Sequence, residues 1–267
     1  MKRILAAFLL AFLAAASAPA QKLYVADFSG PVEIVRANGN LVGTARTRNT
    51  LKLLTAVTYG DVIVTGSRGR ITLSLPGTLS VSIPENSVVG YFFAGPGTDP
   101  RPFLSIVAGN ADISLSAGAA RALPIRDDRF TADSANGALA QLERCAAKLE
   151  TVYAELEKLG ADCDAATAKL EAATDEYRTL LAAAGGTSLQ VFRETQLYPA
   201  EDARSSLIRE IQYRTILART IRHHILAPLY MAVKTGNPEQ DARDADTAPF
   251  FEKYAAVINR YEEVLFK

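Results

Sequence analysis

The chain of 267 residues contains no tryptophan, two histidines, two cysteines and two methionines, so few of the side chains that usually carry chemistry are present. Charge of one sign is missing as well: 29 basic residues balance 29 acidic ones. A general nucleic-acid binder needs a basic excess to displace phosphate counterions, and that class is excluded. The motifs Gly-x-Ser-x-Gly and His-Glu-x-x-His are absent, and Gly66-Ser67-Arg68-Gly69 lacks the strand-to-helix elbow that activates a nucleophilic serine. Past residue 137 the apolar stretches are interrupted by charges every few positions, which excludes a spanning segment there. What remains is 49% hydrophobic and 22% charged, the composition of a folded chain with room for one large or two medium domains.

The first twenty residues carry the signs of export. Lys2 and Arg3 precede an apolar run over residues 4–16, and Ala18-Pro19-Ala20 places small residues where signal peptidase requires them. Thirteen apolar residues rise only ~20 Å as a helix, short of a ~30 Å bilayer core, so a cleaved leader over 1–20 is expected, not an anchor. Cleavage before Gln21 leaves 27 basic and 29 acidic side chains, and no cysteine follows the run to accept a lipid.

The remainder divides by period. From residue 23 to about 133 apolar residues alternate or cluster in short runs broken by Gly, Pro and Asn. Strands are expected around Val32 and Ile34, then at 62–64, 71–75, 79–83, 87–93, 103–107, 112–115 and 122–125, with a turn at Asn38-Gly39-Asn40 and a loop over 95–102. Strands arriving about every ten residues predict an all-β sandwich, barrel or irregular solenoid.

From residue 134 the period is that of helices. Leu142, Cys145, Leu149, Val152, Leu156 and Leu159 form one heptad seam; Cys163, Ala166, Leu170, Ala173, Tyr177, Leu180 and Ala184 form a second, closed by Gly185-Gly186. With Gly160 read as a stop, the two seams predict an antiparallel α-hairpin turning there. A third helix is expected over 201–226, with Pro228 kinking or restarting it, and a fourth over 248–266. The fold class is thus α+β in two domains, an all-β one at 23–133 and an antiparallel helical bundle at 134–267, each with its own apolar set.

Part of the β half resembles the FecR domain, a periplasmic all-β module. The likeness rests on Gly30-Pro31-Val32-Glu33-Ile34, on Tyr59-Gly60-Asp61-Val62-Ile63-Val64-Thr65-Gly66 followed by Ser67-Arg68-Gly69-Arg70-Ile71-Thr72-Leu73, and on segments 79–87 and 104–115. It covers about residues 29–116. Pro76-Gly77 stands where the family has an acidic turn, and neither a sigma-regulating segment nor a spanning helix is read here, so the resemblance implies the extracytoplasmic module alone. Residue chemistry accounts for the same positions: Gly60 supplies a positive φ, and Asp61 can bond the backbone N–H two residues on.

Candidate site residues are few. Asp61, Arg68 and Arg70 are the candidates for contact with a ligand or partner. His223 and His224 are neighbours on a helix, about 100° apart, and poorly placed to chelate one ion; no metal site, catalytic residue or cofactor is expected. Export and the even count favour a disulfide between Cys145 and Cys163, whereas a hairpin turning at Gly160 holds them apart, and the bond would require the turn near Ala154. Asp127-Asp128 and Glu262-Glu263 read as surface charge, and Arg204, Arg209, Arg214, Arg219 and Arg222 as a solvated basic face able to receive a partner's carboxylates. The expected role is non-enzymatic binding or scaffolding in a bacterial periplasm or envelope. The expected partner is an envelope protein or a cell-wall polymer, with no nucleic acid and no membrane span after leader cleavage. The alternative is an envelope hydrolase with its active site between the domains.

Overall fold

A computed structural model describes residues 22–37, 41–44, 51–94, 101–116, 123–130, 138–183 and 186–229. The leader, the Asn38-Gly39-Asn40 turn, the helix read at 248–266 and Glu262-Glu263 lie outside the described residues. The fold is mixed α+β, with all described strands preceding the helices.

Eleven strands are described: β1 (Leu23–Ser29), β2 (Val32–Val35), β3 (Leu41–Thr44), β4 (Ala56–Val57), β5 (Val62–Thr65), β6 (Arg70–Leu75), β7 (Leu79–Ile83), β8 (Val88–Ala94), β9 (Arg101–Ala108), β10 (Asp112–Leu115) and β11 (Ile125–Asp127). They form a five-stranded sheet in the order β10-β7-β6-β1-β4 and a six-stranded sheet in the order β11-β9-β8-β5-β2-β3. Every pairing is antiparallel except that of β11 with β9. The β1, β3 and β4 strands have no counterpart among the expected ones, and the strand expected at 122–125 lies at 125–127 instead. The β4 strand is two residues long, too short for an alternation to show.

Side-chain alternation dictates how the layers stack. The β6 and β7 strands bury Ile71, Leu73, Leu79, Val81 and Ile83 while Thr72, Ser74, Ser80 and Ser82 point away, so the five-stranded sheet has one core face. By contrast β5, β8 and β9 carry consecutive apolar residues and are covered on both faces. Ile63, Val89, Tyr91, Leu104 and Ile106 join the five-stranded sheet in one core. Val62, Val88, Phe92, Phe103 and Val107 face the other way and share a second core with the helices. The result is three layers, sheet on sheet on helix. The expectation of a separate core in each half is thereby corrected, because every buried hydrophobic residue of the described helices belongs to a cluster that includes the six-stranded sheet.

The helical half also departs from its reading. One unbroken helix, α1 (Ala138–Ala182), runs 45 residues or about 67 Å through Gly160. The chain then returns as α2 (Gly186–Phe192), a π-helical segment (Arg193–Leu197), α3 (Tyr198–Thr220) and a second π-helical segment (Ile221–Leu226). Glu155 meets Arg214, Thr167 meets Arg204 and Tyr177 stacks on Phe192, so the two arms are antiparallel and the chain reverses between Ala182 and Gly186. The two expected seams are one seam: the three-four spacing from Leu142 to Leu180 passes Gly160 without a break, and Gly160 falls off the stripe. A glycine inside a helix costs about 1 kcal/mol against alanine, a cost this long packed stripe outweighs.

Both π-helical segments precede a proline. Tyr198 N–H reaches Arg193 C=O just before Pro199, and Ala227 N–H reaches Arg222 C=O just before Pro228. Proline has no N–H and its ring clashes with the preceding turn, and the wider π turn absorbs the misfit without ending the helix. The return arm therefore begins well before the expected residue 201, and the chain is still helical at Pro228 and residue 229.

Candidate functional site

Three places in the structure concentrate polar or exposed apolar side chains. The first is the junction between the six-stranded sheet and α3. Tyr213 is fully buried there, its ring edge-on to both Phe92 and Phe103, with Arg126 stacked 4.1 Å over Phe103 and Arg214 4.8 Å from the Tyr213 ring. The Tyr213 hydroxyl donates to Asp128, whose Oδ2 also accepts from Ser105 Oγ at 2.6 Å. Lys148, on α1, donates to the backbone carbonyls of Asp128 and Arg129. Burial pushes the Tyr213 phenol above its ordinary range, helped by the Asp128 charge, and pulls the Lys148 ammonium down. Asp128 is therefore not surface charge; it ties three elements together. Asp127 keeps the expected exposure and pairs with Arg129, which lowers its carboxyl to about 2. Ser105 is completely buried, and its hydroxyl is taken up by the bond to Asp128.

The second place is the turn at Asp61, which is 1% exposed. Its Oδ2 accepts from the Thr58 N–H at 2.8 Å and from Arg36 Nη1 at 2.7 Å, so the backbone partner lies three residues back, not two ahead as the sequence suggested. Desolvation raises its carboxyl despite these donors. Gly60 takes φ +89°, and a Cβ there would stand 2.8 Å from Ala37 Cβ and 3.1 Å from Ile216 Cδ1. The tight turn is what lets α3 approach, and Arg219 fastens it from the helix side by donating to Ala37 C=O. Arg68 and Arg70 are not part of this arrangement. They flank the turn at the far end of β5, both exposed, Arg68 at φ +64° with its N–H on Glu85, and Arg70 3.8 Å from Asp27. The structure does not bring the three sequence candidates together.

The basic residues on α3 are half-buried within the hairpin and its junction, which corrects the solvated-face reading. Arg204 bonds Thr167 and Arg214 lies 3.1 Å from Glu155. His223 and His224 sit in the second π-helical segment, and among the described residues no group of three or more His, Cys, Asp or Glu is placed to hold a metal. Cys145 is buried and Cys163 half-buried, both as free thiols. Eighteen residues apart on one helix, they stand about 27 Å from each other, so the disulfide alternative is overturned by the continuity of α1. Burial raises the Cys145 thiol to about 12.

The third place is the free end of the hairpin, which the sequence reading did not single out. Among the residues between 157 and 210 whose burial is described, no side chain on α1, α2 or α3 is fully buried; the stripe Cys163, Ala166, Leu170, Ala173, Tyr177 and Leu180 is half-covered by the return arm. At the end, an open groove of about 650 Å³ is lined by Glu176, Leu180, Ser188, Val191, Phe192, Thr195 and Gln196. Val191 is 55% exposed, and Leu181, which follows Leu180 on α1, 54%. Apolar residues on both sides of Gly185-Gly186 were the available signal. A heptad reading treats them as core and cannot show that they stay partly exposed.

Among the described residues no helix is long and apolar enough to cross a membrane. Compared with protein-family models, curated proteins and solved structures, the chain matches none.

Proposed function

We propose that this chain is an exported, non-enzymatic binding or scaffolding protein of a bacterial periplasm or envelope. In this reading the leader directs export, the FecR-like module is the base, and the antiparallel helices, joined by the one read at 248–266 into a bundle, hold an envelope protein or a cell-wall polymer. The observation that carries it is the hairpin itself. It is seated on the sheet near Cys145 and Tyr213, then extends past the last buried residue to an end with exposed Val191 and Leu181. Rigid seating at one end and exposed apolar surface at the other suit a protein that presents a contact away from its base.

The test uses the mature chain, purified sacculi and an envelope extract. Saturable retention on sacculi, or retention of one envelope component that soluble mature chain competes away, with no soluble fragments released, is the expected result. Release of cell-wall fragments by the purified chain would instead establish the hydrolase.

A further inference from the structure

From the end of the hairpin we infer that its groove takes an amphipathic helix of a partner protein whose apolar face is flanked by lysine or arginine. This rests on the binding-protein reading above and names the partner of the same surface.

Shape supplies the first half. Leu180, Val191 and Phe192 supply its apolar lining, and Tyr177 stacks on Phe192, so the groove lies between α1 and the antiparallel return arm. A third helix laid in such a groove places an apolar side chain every three or four residues against this lining, the geometry of helix-in-groove recognition. An extended strand would find no sheet edge there to pair with.

Charge supplies the second half and decides between occupants. From residue 161 to residue 210 there are nine acidic and five basic side chains, a net charge of −4. Three of the five basic ones are engaged internally: Arg178 on Asp175, Arg193 over the Tyr198 ring and Arg204 on Thr167. Glu176 stands in the groove wall. A second copy of the hairpin would bring a like net charge to the same place, which repels, whereas a basic-flanked helix is drawn in.

The experiment uses the full mature chain and two labelled peptides that share one leucine pattern in helical register, one with lysine flanks and one with glutamate flanks. Fluorescence anisotropy should show binding of the Leu/Lys peptide and about tenfold or weaker binding of the Leu/Glu peptide. Val191→Asp should remove most of the Leu/Lys binding, and Glu176→Lys should weaken it while improving that of the Leu/Glu peptide. Leu54→Asp, at an exposed leucine on the sandwich, should change neither, and unchanged circular dichroism at these exposed positions confirms folding. Equal binding of the two peptides, or indifference to Val191→Asp, overturns the proposal. So does a dimer of the unliganded chain that Val191→Asp dissociates, because the occupant would then be a second copy. Failure here with saturable retention on sacculi intact would reject the helix partner and leave the binding-protein reading standing; loss of both would reject the reading itself.

Discussion

The phenol of Tyr213, on α3, donates its proton to the carboxylate of Asp128, the residue that follows the last strand. That bond joins the returning arm of the hairpin to the edge of the six-stranded sheet, inside a cage of Phe92, Phe103 and Arg126. Tyr213→Phe keeps the ring and removes the donor, leaving Asp128 to Ser105 alone. Loss of a hydrogen bond to a charged group should cost about 2 kcal/mol, read as a lower urea midpoint with an unchanged slope.

Alkaline pH should destabilise the protein, and the sign follows from the direction of three shifts. Cys145 is raised from 9.0 to about 12, and Tyr213 and Tyr91 are raised above 10.0. Unfolding lets each group lose its proton at its ordinary value while the folded form still holds it. The stability they lend is complete below pH 9 and falls as the pH climbs through 9 and 10 toward the folded values. Melting temperatures across that range should decline less steeply for Tyr213→Phe than for the unaltered chain.

Gly60 and Asp61 should fail in different ways. Gly60→Ala forces an L side chain to φ +89° and drives its Cβ against Ala37 and Ile216, so about 2–3 kcal/mol of stability should be lost and α3 displaced. Asp61→Ala strips Thr58 and Arg36 of an acceptor and should cost about 2 kcal/mol, whereas Asp61→Asn keeps an acceptor oxygen and should cost less. Chemical denaturation of the three variants gives the ranking directly. A turn with no part in seating the helix would leave Gly60→Ala close to the unaltered chain.

Because one core is shared, the strand and helix halves should not separate. A fragment of residues 21–133 bares Val62, Val88, Phe92, Phe103 and Val107 on a sheet face, and a fragment of residues 134–267 bares Cys145, Leu149, Ile216 and Leu217. Each alone should aggregate, and the intact chain should unfold in one transition seen alike by far-ultraviolet circular dichroism and by tyrosine fluorescence. Two separated transitions would contradict the shared core.

Much of this architecture was legible in residue spacing. The alternation Leu79-Ser80-Val81-Ser82-Ile83 marked a strand with one wet face, and the structure has it so. The uninterrupted runs Val62-Ile63-Val64 and Phe103-Leu104 carried the further message that β5 and β9 are covered on both faces, which already implied that something must lie over the sheet. Gly160 misled because a local breaker was weighed above a seam that continues through it. The π turns were hidden, since a proline in a helix announces a defect without saying which kind. The candidate residues fared worse. Asp61 was visible as a turn residue, but the approach of α3 to this turn depends on Gly60 meeting Ile216 and Ala37 meeting Arg219, more than 150 residues away. The groove at the hairpin's end depends on which residues remain uncovered, which spacing along one chain does not encode.

An unbroken α1 that carries the end of the hairpin away from the sheet is the claim on which the binding surface depends. Pulsed electron spin resonance between labels at Arg144 and Thr179, both exposed, in a chain with Cys145→Ala and Cys163→Ala, measures it. Thirty-five residues of continuous helix predict about 52 Å between the two positions. A hairpin turning at Gly160 would instead bring them within about 10 Å at the helix axes, and a distance distribution centred there would contradict this account of the fold and of the surface it exposes.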